Sequence, residues 1–520
     1  MHRRSFLAAA LALAGTTAAG AQGAPGPRLG EPQPFSWDAL KARARAMAAH
    51  AYEAPVSLDP ETLHDLDYDA LGKIRFRPGE ALFADGPGRY PVTFFHPGRY
   101  ARRPVRMNVV EGGEAREVFY DQSLFDMPAD SPAHRLRQRP GFSGFRFQEA
   151  RDGALPWRTN DWVAFQGASY FRAIGELYQY GLSARGIAID TVVFGKDEEF
   201  PDFTHFWIES PGAGDDAVVV NALLDGPSVT GAYRFTMRRT RAVVMDVEVS
   251  LNLRRDVTRL GLAPLTSMYW FSETAKPAAV DWRPEIHDSD GLALWTGSGE
   301  RIWRPLGDPA RSRASAFADA KPKGYGLLQR DRNFDHYLDG VYYDRRPSVW
   351  VEPVGDWGRG AVQLVENHTD DETEDNVVAM WVPDGPARAG DAHDFAYRLH
   401  WLADEPYPSP FARCVATRLG NGGREGSNRP RGVRKIVVEF LGEPLAMLPP
   451  NVFPEAVPTA SRGTFTDCRT APVPDGVPGH WRAEFDLKVE GTEPVDLRLF
   501  LRRGQDVLTE TWLASYEPAA

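Results

Sequence analysis

The stretch VVMDVEVSLNL, residues 243–253, decides the fold class of this chain. Apolar side chains stand at every second position from Val243 to Leu253, and acids such as Asp246 and Glu248 lie between them. Successive side chains of a strand point to opposite faces of a sheet, so this alternation predicts a long, half-buried β-strand.

Similar stretches flank this strand and are separated by residues that form turns. Residues 217–224, 232–237 and 361–365 are predicted strands, and the Gly-Pro pair after Asp225 is a typical turn signal. The 48 glycines and 42 prolines among 520 residues exceed the average share, which favours many short strands. The chain up to about residue 405 is therefore predicted to form one large, mostly antiparallel β unit.

Helical periodicity is rare, and one helix is predicted near the start of this unit. Ser36 is suited to cap that helix. The residues that follow with the spacing of one apolar helix face are Trp37, Leu40, Ala44, Met47 and Ala51.

A second domain is predicted after a proline-rich linker, residues 406–410. Its three alternate prolines cannot continue a helix or a central strand. The remainder, 411–520, contains predicted strands at 435–441, 481–489, 495–501 and 508–516, which suits a smaller immunoglobulin-like sandwich. The large domain is assigned to residues 22–405.

The first 21 residues are predicted to be an export signal. Arg3 and Arg4 precede an apolar run from Phe6 to Ala14, and small residues ending at Ala21 suit a signal peptidase. The arginine pair also resembles a twin-arginine signal, with a plain secretory signal as the alternative. No other apolar run is long enough to span a bilayer. The mature protein is predicted to be periplasmic.

Composition and motif content exclude several classes of function. A hydrophobic fraction of 42% supports a sizeable core, and a net charge of -11 argues against nucleic acid or an anionic membrane surface as the main partner. Phosphate-binding loops, nucleophile elbows and paired metal ligands do not occur, so no metal and no cofactor are predicted. Cys414 and Cys468 form either one disulfide or two separate buried thiols.

Three dense clusters of acids and aromatic residues remain, a combination typical of sugar sites. Aromatic faces stack on pyranose rings, and carboxylates bind hydroxyls or move protons. The clusters are residues 281–291, 329–350 and 351–381. Each also has a plainer interpretation: a polar turn in which acids cap backbone amides, a salt-bridged loop, and a solvated charge run.

Five motifs give the chain a resemblance to a known family. They are residues 165–173 (FQGASYFRA), 180–186 (YGLSARG), 287–292 (HDSDGL), 345–350 (RRPSVW) and 352–358 (EPVGDWG). Together they resemble the osmoregulated periplasmic glucan biosynthesis proteins G and D, from about Phe35 to the C-terminus. The arginine pair near the N-terminus favours the D type. The resemblance implies a large β-sandwich domain followed by an immunoglobulin-like domain, and activity on periplasmic β-1,2-glucan.

The resemblance also implies site residues. The catalytic carboxylates correspond to Asp288 and Asp375, and Tyr343 and Arg346 resemble a substrate wall. Asp290, two residues beyond Asp288, would face the same side of an extended strand and is an alternative. Further substrate-binding candidates from the clusters are Trp282, Trp357 and Asp290.

The leading hypothesis is an enzyme that cleaves β-1,2-glucan with inversion, using Asp288 as proton donor and Asp375 as base. Such a pair is expected to stand about 6.5 to 9.5 Å apart or further. One alternative is an inverting transglycosylase that closes glucan rings. The other is a non-catalytic glucan-binding scaffold that guides chains from a membrane glucan synthase.

Overall fold

The computed structural model describes residues 26–518, except 56–57, 137–139, 213, 276–280, 425 and 427. The predicted export signal, residues 1–21, lies outside the described residues. None of the helices in the described part is both long and apolar enough to cross a membrane.

Strands dominate the described chain. The α-helices are α1 (Trp37–Ala48), α2 (Pro60–Asp65), α3 (Tyr68–Gly72) and α4 (Glu443–Ala446). The strands are β1 (Gln33–Pro34), β2 (Arg75–Phe76), β3 (Val92–Phe95), β4 (Arg106–Glu111), β5 (Glu114–Glu117), β6 (Phe125–Asp126), β7 (Gly144–Gln148), β8 (Asp161–Gln166), β9 (Tyr170–Ala173), β10 (Ser183–Arg185), β11 (Ile187–Ile189), β12 (Asp202–Glu209), β13 (Ala217–Asp225), β14 (Val229–Arg239), β15 (Val243–Leu253), β16 (Leu260–Ser267), β17 (Tyr269–Phe271), β18 (Ile286–His287), β19 (Gly291–Trp295), β20 (Arg301–Pro305), β21 (Arg313–Ala320), β22 (Gly324–Leu328), β23 (Ser348–Val354), β24 (Arg359–Glu366), β25 (Val377–Pro383), β26 (Ala392–Leu402), β27 (Arg413–Asn421), β28 (Val433–Leu441), β29 (Glu455–Ala456), β30 (Thr459–Ala460), β31 (Thr464–Pro472), β32 (His480–Lys488), β33 (Val495–Leu499), β34 (Leu501–Arg503), β35 (Asp506–Val507) and β36 (Thr511–Tyr516).

Two large sheets form a sandwich. The first has the order β1-β5-β4-β12-β13-β14-β15-β26-β23-β22-β19-β20-β36-β33-β30, and the second has the order β21-β24-β25-β16-β10-β9-β8-β7-β3. Nearly all neighbours are antiparallel; β4–β12 and β20–β36 are parallel. Aromatic side chains of the two sheets meet in the core, where the rings of Phe165 and Phe235 lie 5.1 Å apart. The predicted all-β sandwich is confirmed.

The sequence VVMDVEVSLNL forms β15 over its whole length, paired with β14 and β26. The expectation of a half-buried strand is wrong for its second half, because Ser250 and Asn252 are also buried. Helix α1 causes this difference, since it lies on the outer face of β13, β14 and β15.

The predicted helix is α1. The Ser36 hydroxyl accepts a hydrogen bond from the Ala39 amide at 3.1 Å, as an N-cap does. Leu40 and Ala44 are buried against the outer face of the first sheet. The helix ends at Ala48, so it is shorter than the apolar spacing to Ala51 predicts.

The C-terminal strands form a smaller sandwich joined to the large one. The sheet β27-β28-β32-β31 faces β33 and β36, and β36 also pairs with β20, so one layer continues the first large sheet. Trp303 and Trp350 share an apolar cluster with Phe485 and Trp512. Segment 406–410 contains no strand or helix, and the predicted strand 495–501 is divided between β33 and β34.

The two cysteines are not bonded to each other. Cys414 is buried, whereas Cys468 is exposed on β31. Neither alternative from the sequence is correct as stated, because only one of the thiols lies in the core.

Candidate functional site

The candidate site lies where several strands of the two sheets end. Asp288 follows β18 and Asp375 precedes β25. Asn376 joins these segments: its side chain accepts a hydrogen bond from the Tyr269 amide and donates one to the Tyr269 carbonyl, each at 2.9 Å. Tyr269 in turn pairs with His287, so the chain next to Asp375 is fixed beside the chain next to Asp288.

Asp288 is a buried carboxyl group that faces charged side chains. Its Oδ1 lies 3.4 Å from Nε of Arg346, and its amide donates to the Met268 carbonyl. Burial raises the pKa of Asp288, the Arg346 guanidinium opposes this shift, and the charge of Asp375 adds to it. Asp375 is therefore near enough for its charge to act on Asp288.

Asp375 is more open, and its side chain retains 35% of its exposure. Its Oδ2 lies 3.7 Å from a guanidinium nitrogen of Arg172, whose Nε donates to Ser183 at 2.6 Å. The charge of Arg172 also acts to lower the pKa of Asp288. Arg172 therefore lies within range of both acids.

Arg346 is held in place by three neighbouring segments. Its guanidinium donates to the Tyr180 carbonyl at 2.8 Å and lies over the Tyr343 ring, 5.0 Å from the centroid. Arg332 donates to the Arg346 carbonyl at 2.5 Å. A Cβ added at Gly181 would lie 3.1 Å from Cβ of Arg346, so this close approach suits glycine.

Tyr343 connects Arg346 to the acidic loop. Its hydroxyl donates to Glu372 at 2.7 Å, and Arg283 donates to the same carboxylate. Burial acts to raise the pKa of Glu372, but the hydrogen bonds from Arg283 and Tyr343 outweigh it and lower the pKa. Glu372 is therefore an ionised anchor for Tyr343.

Trp282 lies at the rim of this group. Its neighbours Asp281 and Arg283 bind each other at 2.9 Å, and Arg283 also binds Glu372, which fixes the backbone on both sides of the tryptophan. Trp282 itself is 74% exposed. An exposed tryptophan held on a fixed segment is suited to stack on a sugar ring.

Asp290 has a different environment from Asp288. Its Oδ2 accepts hydrogen bonds from the amides of Arg330 and Asp331, both at 2.8 Å. The expectation that Asp288 and Asp290 share one face of an extended strand is wrong, because β18 ends at His287 and β19 begins at Gly291.

Trp357 is not brought to the site. It follows β23, whose other end, Ser348, adjoins the Arg346 segment, so the length of the seven-residue strand separates them, roughly 23 Å. Its indole donates to the Ala396 carbonyl and its ring packs near Trp381.

A group of buried polar side chains adjoins Asp288. His287 contacts Glu285 at 3.1 Å and Gln329 at 2.9 Å through its two ring nitrogens. Burial acts to lower the pKa of His287, but the hydrogen bond and charge of Glu285 outweigh it and raise the pKa. Gln329 also donates to the Tyr343 carbonyl, which links this group to the substrate wall.

The sequence contains no paired metal ligands, yet one group with ligand chemistry is present among the described residues. The side chains of Glu285, Asp331 and His336 offer ligand atoms within 4.8 Å of one another. Nδ1 of His336 lies 2.5 Å from Oδ2 of Asp331, which is a hydrogen bond between the two side chains. These two side chains are thus engaged with each other.

Two residues with evident roles in this geometry were missed by the sequence reasoning. Arg172 lies inside the quoted motif 165–173, but an arginine on an alternating strand is the expected solvent-facing residue. Glu372 lies in the acidic loop, and charge alone did not separate it from its neighbours. For Arg172, the motif 165–173 was the signal that could have identified it.

A β-sandwich that brings together a buried carboxyl group, a second carboxylate, arginines and an exposed tryptophan is typical of carbohydrate-active proteins. The chain belongs to the family described as periplasmic glucan biosynthesis protein, MdoG, whose model matches residues 35–516. The sequence-based assignment to this family is confirmed.

Several relatives carry the D-type name. The chain is 64% identical over 495 residues to glucans biosynthesis protein D 2 of Ralstonia nicotianae, covering 94% of this chain and 92% of that protein. It is 47% identical over 540 residues to glucans biosynthesis protein D of Stenotrophomonas maltophilia, with 100% and 98% coverage. A protein of the same name in Xanthomonas campestris is 47% identical over 532 residues, with the same coverage.

Proposed function

We propose that this chain acts in periplasmic glucan biosynthesis as an enzyme that cleaves β-1,2-glucan with inversion at the anomeric carbon. The family and the names of the relatives support the role in glucan biosynthesis. The observation that carries the enzymatic part is that segments 87 residues apart in sequence place buried Asp288 near the more open Asp375. Asn376 binds Tyr269, which pairs with His287, and the charge of Asp375 acts on the pKa of Asp288.

The two environments favour different roles for the acids. Burial raises the pKa of Asp288, which favours the protonated form that a general acid needs. Asp375 keeps contact with solvent and with Arg172, as a base that activates water requires.

In the proposed reaction, Asp288 gives its proton to the glycosidic oxygen while the bond from that oxygen to the anomeric carbon breaks. A water molecule forms the new bond from the opposite face and transfers a proton to Asp375. The products are a leaving sugar with a free hydroxyl and a reducing sugar of inverted configuration.

The surroundings suit a neutral polyhydroxylated chain. Trp282 provides an exposed ring at the rim, and Arg346 and Arg172 provide donors on either side of the acids. Arginine forks bind sugar diols and carboxylates order hydroxyls, so no charged substrate is required. The proposed partner is linear β-1,2-glucan, delivered in the periplasm from a membrane glucan synthase.

Incubation of the purified mature protein with linear β-1,2-glucan tests this proposal. New reducing ends are expected, and NMR at early times should show the inverted anomer. Asp288→Asn and Asp375→Asn should each lower the rate by about 10² to 10⁴-fold, since each removes a proton-transfer group. Asp370→Asn is the matched control, because Asp370 lies on the same acidic loop with a side chain 96% exposed.

Other outcomes would replace the proposal. Loss of polymer without new reducing ends would indicate a transglycosylase that closes rings. Glucan binding without any change in the polymer would indicate a scaffold, and a retained anomeric configuration would contradict inversion.

A further inference from the structure

A cavity lies beside the group of acids and arginines around Asp288 and Asp375, which we call the acidic site. Its volume is about 760 Å³, in the range of small-molecule sites, and none of the acids or wall residues described above lines it. Burial raises the pKa of Tyr170, which lines the cavity, and the charge of Asp375 adds to that shift, so the cavity adjoins the acidic site. It is bounded by the segment before and within β4, by β12 and by the turn between β8 and β9. We call it the arginine pocket. Its lining residues include Tyr100, Arg102, Arg103, Arg106, Phe200 and His205.

Positive charge in the arginine pocket is only partly neutralised. Arg103 pairs with Asp202. Among the described residues, Arg102 and Arg106 form no ion pair, and the other acid that lines the cavity is Glu117. A cavity with surplus guanidinium groups in a protein of net charge -11 is a local feature that attracts an anion.

Arg43 of α1 contacts a lining residue of the pocket and adds positive charge there. Its guanidinium contacts Nε2 of His205 at 3.3 Å. Burial, together with the charges of Arg43 and Arg106, lowers the pKa of His205 to about 3. His205 is therefore a neutral acceptor for Arg43 at neutral pH. Within the described part of the chain, neither Arg43 nor Arg106 forms an ion pair with an acid.

Aromatic rings complete the wall of the pocket. Tyr100 is 72% exposed and Phe200 is 46% exposed. Tyr170 also lines the cavity, with the Arg185 guanidinium over its ring at 4.9 Å. Exposed rings beside arginines are suited to a sugar or polyol body that carries an oxyanion.

We propose that the arginine pocket binds a sugar or polyol that carries a phosphate-type oxyanion. Arg106 and Arg102 bind the oxyanion, and the aromatic rim contacts the sugar. This site does not depend on glucan cleavage, so it stands or falls separately from the proposed function.

Isothermal titration calorimetry of the mature protein with glucose 6-phosphate, inorganic phosphate and glucose tests the proposal. Glucose 6-phosphate should bind more tightly than phosphate, and glucose should give no measurable binding. Arg106→Ser should weaken binding of glucose 6-phosphate about tenfold or more, because it removes a charged hydrogen-bond donor. Arg43→Ser should also weaken it, and added salt should reduce the affinity.

Arg241→Ser is the matched control, since Arg241 is an exposed arginine in the turn between β14 and β15. Arg241→Ser should leave the binding of glucose 6-phosphate unchanged, as should Arg346→Gln in the acidic site. Absence of binding, equal affinity for phosphate and the sugar phosphate, or equal losses in the Arg106 and Arg241 variants would each overturn the proposal. Loss of binding in Arg346→Gln would place the ligand in the acidic site and would also overturn the proposal.

Discussion

Replacement of Arg346 by glutamine should move the pH profile of glucan cleavage in a direction that reveals the role of Asp288. Nε of Arg346 lies 3.4 Å from Oδ1 of Asp288, and both side chains are largely buried. A positive charge at this distance favours the ionised carboxylate and holds the pKa of Asp288 down against the effect of burial. Arg346→Gln should therefore raise the pKa of Asp288.

The size of the shift follows from the distance. Two unit charges at 3.4 Å interact by roughly 5 kcal/mol at an effective dielectric constant of about 20, and by roughly 1 kcal/mol in bulk water. Loss of an interaction of this size raises the pKa of Asp288 enough to be seen in a pH profile.

The assay is kcat/KM for linear β-1,2-glucan across pH, which reports the ionisations of the free enzyme. If protonated Asp288 is the acid, activity falls as pH rises through its pKa, so the alkaline limb should move to higher pH in Arg346→Gln. Arg345→Gln removes the same charge one residue away, from a side chain 52% exposed, and should leave the limb in place. A shift of the acid limb of the pH profile instead would identify Asp288 as the base. A profile that does not change would refute the electrostatic reasoning.

Four further predictions concern residues around the site. Asp290→Asn should lower the melting temperature, because its Oδ2 accepts two backbone hydrogen bonds at 2.8 Å, and its loss of stability should exceed that of Asp288→Asn. Trp282→Ala should raise KM for glucan with little change in melting temperature. Trp357 is partly buried, so Trp357→Ala should lower the melting temperature with little change in KM. Gly181→Ala should lower kcat/KM by displacing Arg346, while Gly340→Ala, where an added Cβ has no neighbour within 4 Å, should not. Cleavage should survive EDTA, and activity restored by an added divalent ion would contradict the metal-free mechanism.

Local alternation of side chains was sufficient to predict the strands but not how the sandwiches join. Residues 243–253 predicted β15 because pairing on both sides keeps the alternation. The burial of Ser250 depends on α1, which is about 200 residues away in sequence. The pairing of Trp303 with Trp512 joins the C-terminal strands to the large sheet, and nothing in either segment alone specifies that partner.

The candidate site shows the same division between local and distant information. Motifs located the segments of Asp288 and Arg346, and the acid and aromatic clusters contained Tyr343 and Asp375. The structure brings these segments together. Trp357 belongs to the motif 352–358 but lies beyond the end of β23 that is away from Arg346. Membership of a motif does not say which end of a strand adjoins the site. Arg172 reaches Asp375 only through the order of β9, β10, β16 and β25 in the second sheet.

The segment His287 to Gly291 shows why one short motif supports two interpretations. A polar turn in which acids cap backbone amides describes Asp290, whose carboxylate accepts two amides. It does not describe Asp288, whose side chain accepts no hydrogen bond within the described part of the chain and faces Arg346 instead. Buried carboxylates without hydrogen bonds are rare, because desolvation is then uncompensated. At Asp288 this cost is offset chiefly by the charge of Arg346, whereas Asp290 fixes the turn two residues away. This difference favours Asp288 over Asp290 as the proposed proton donor.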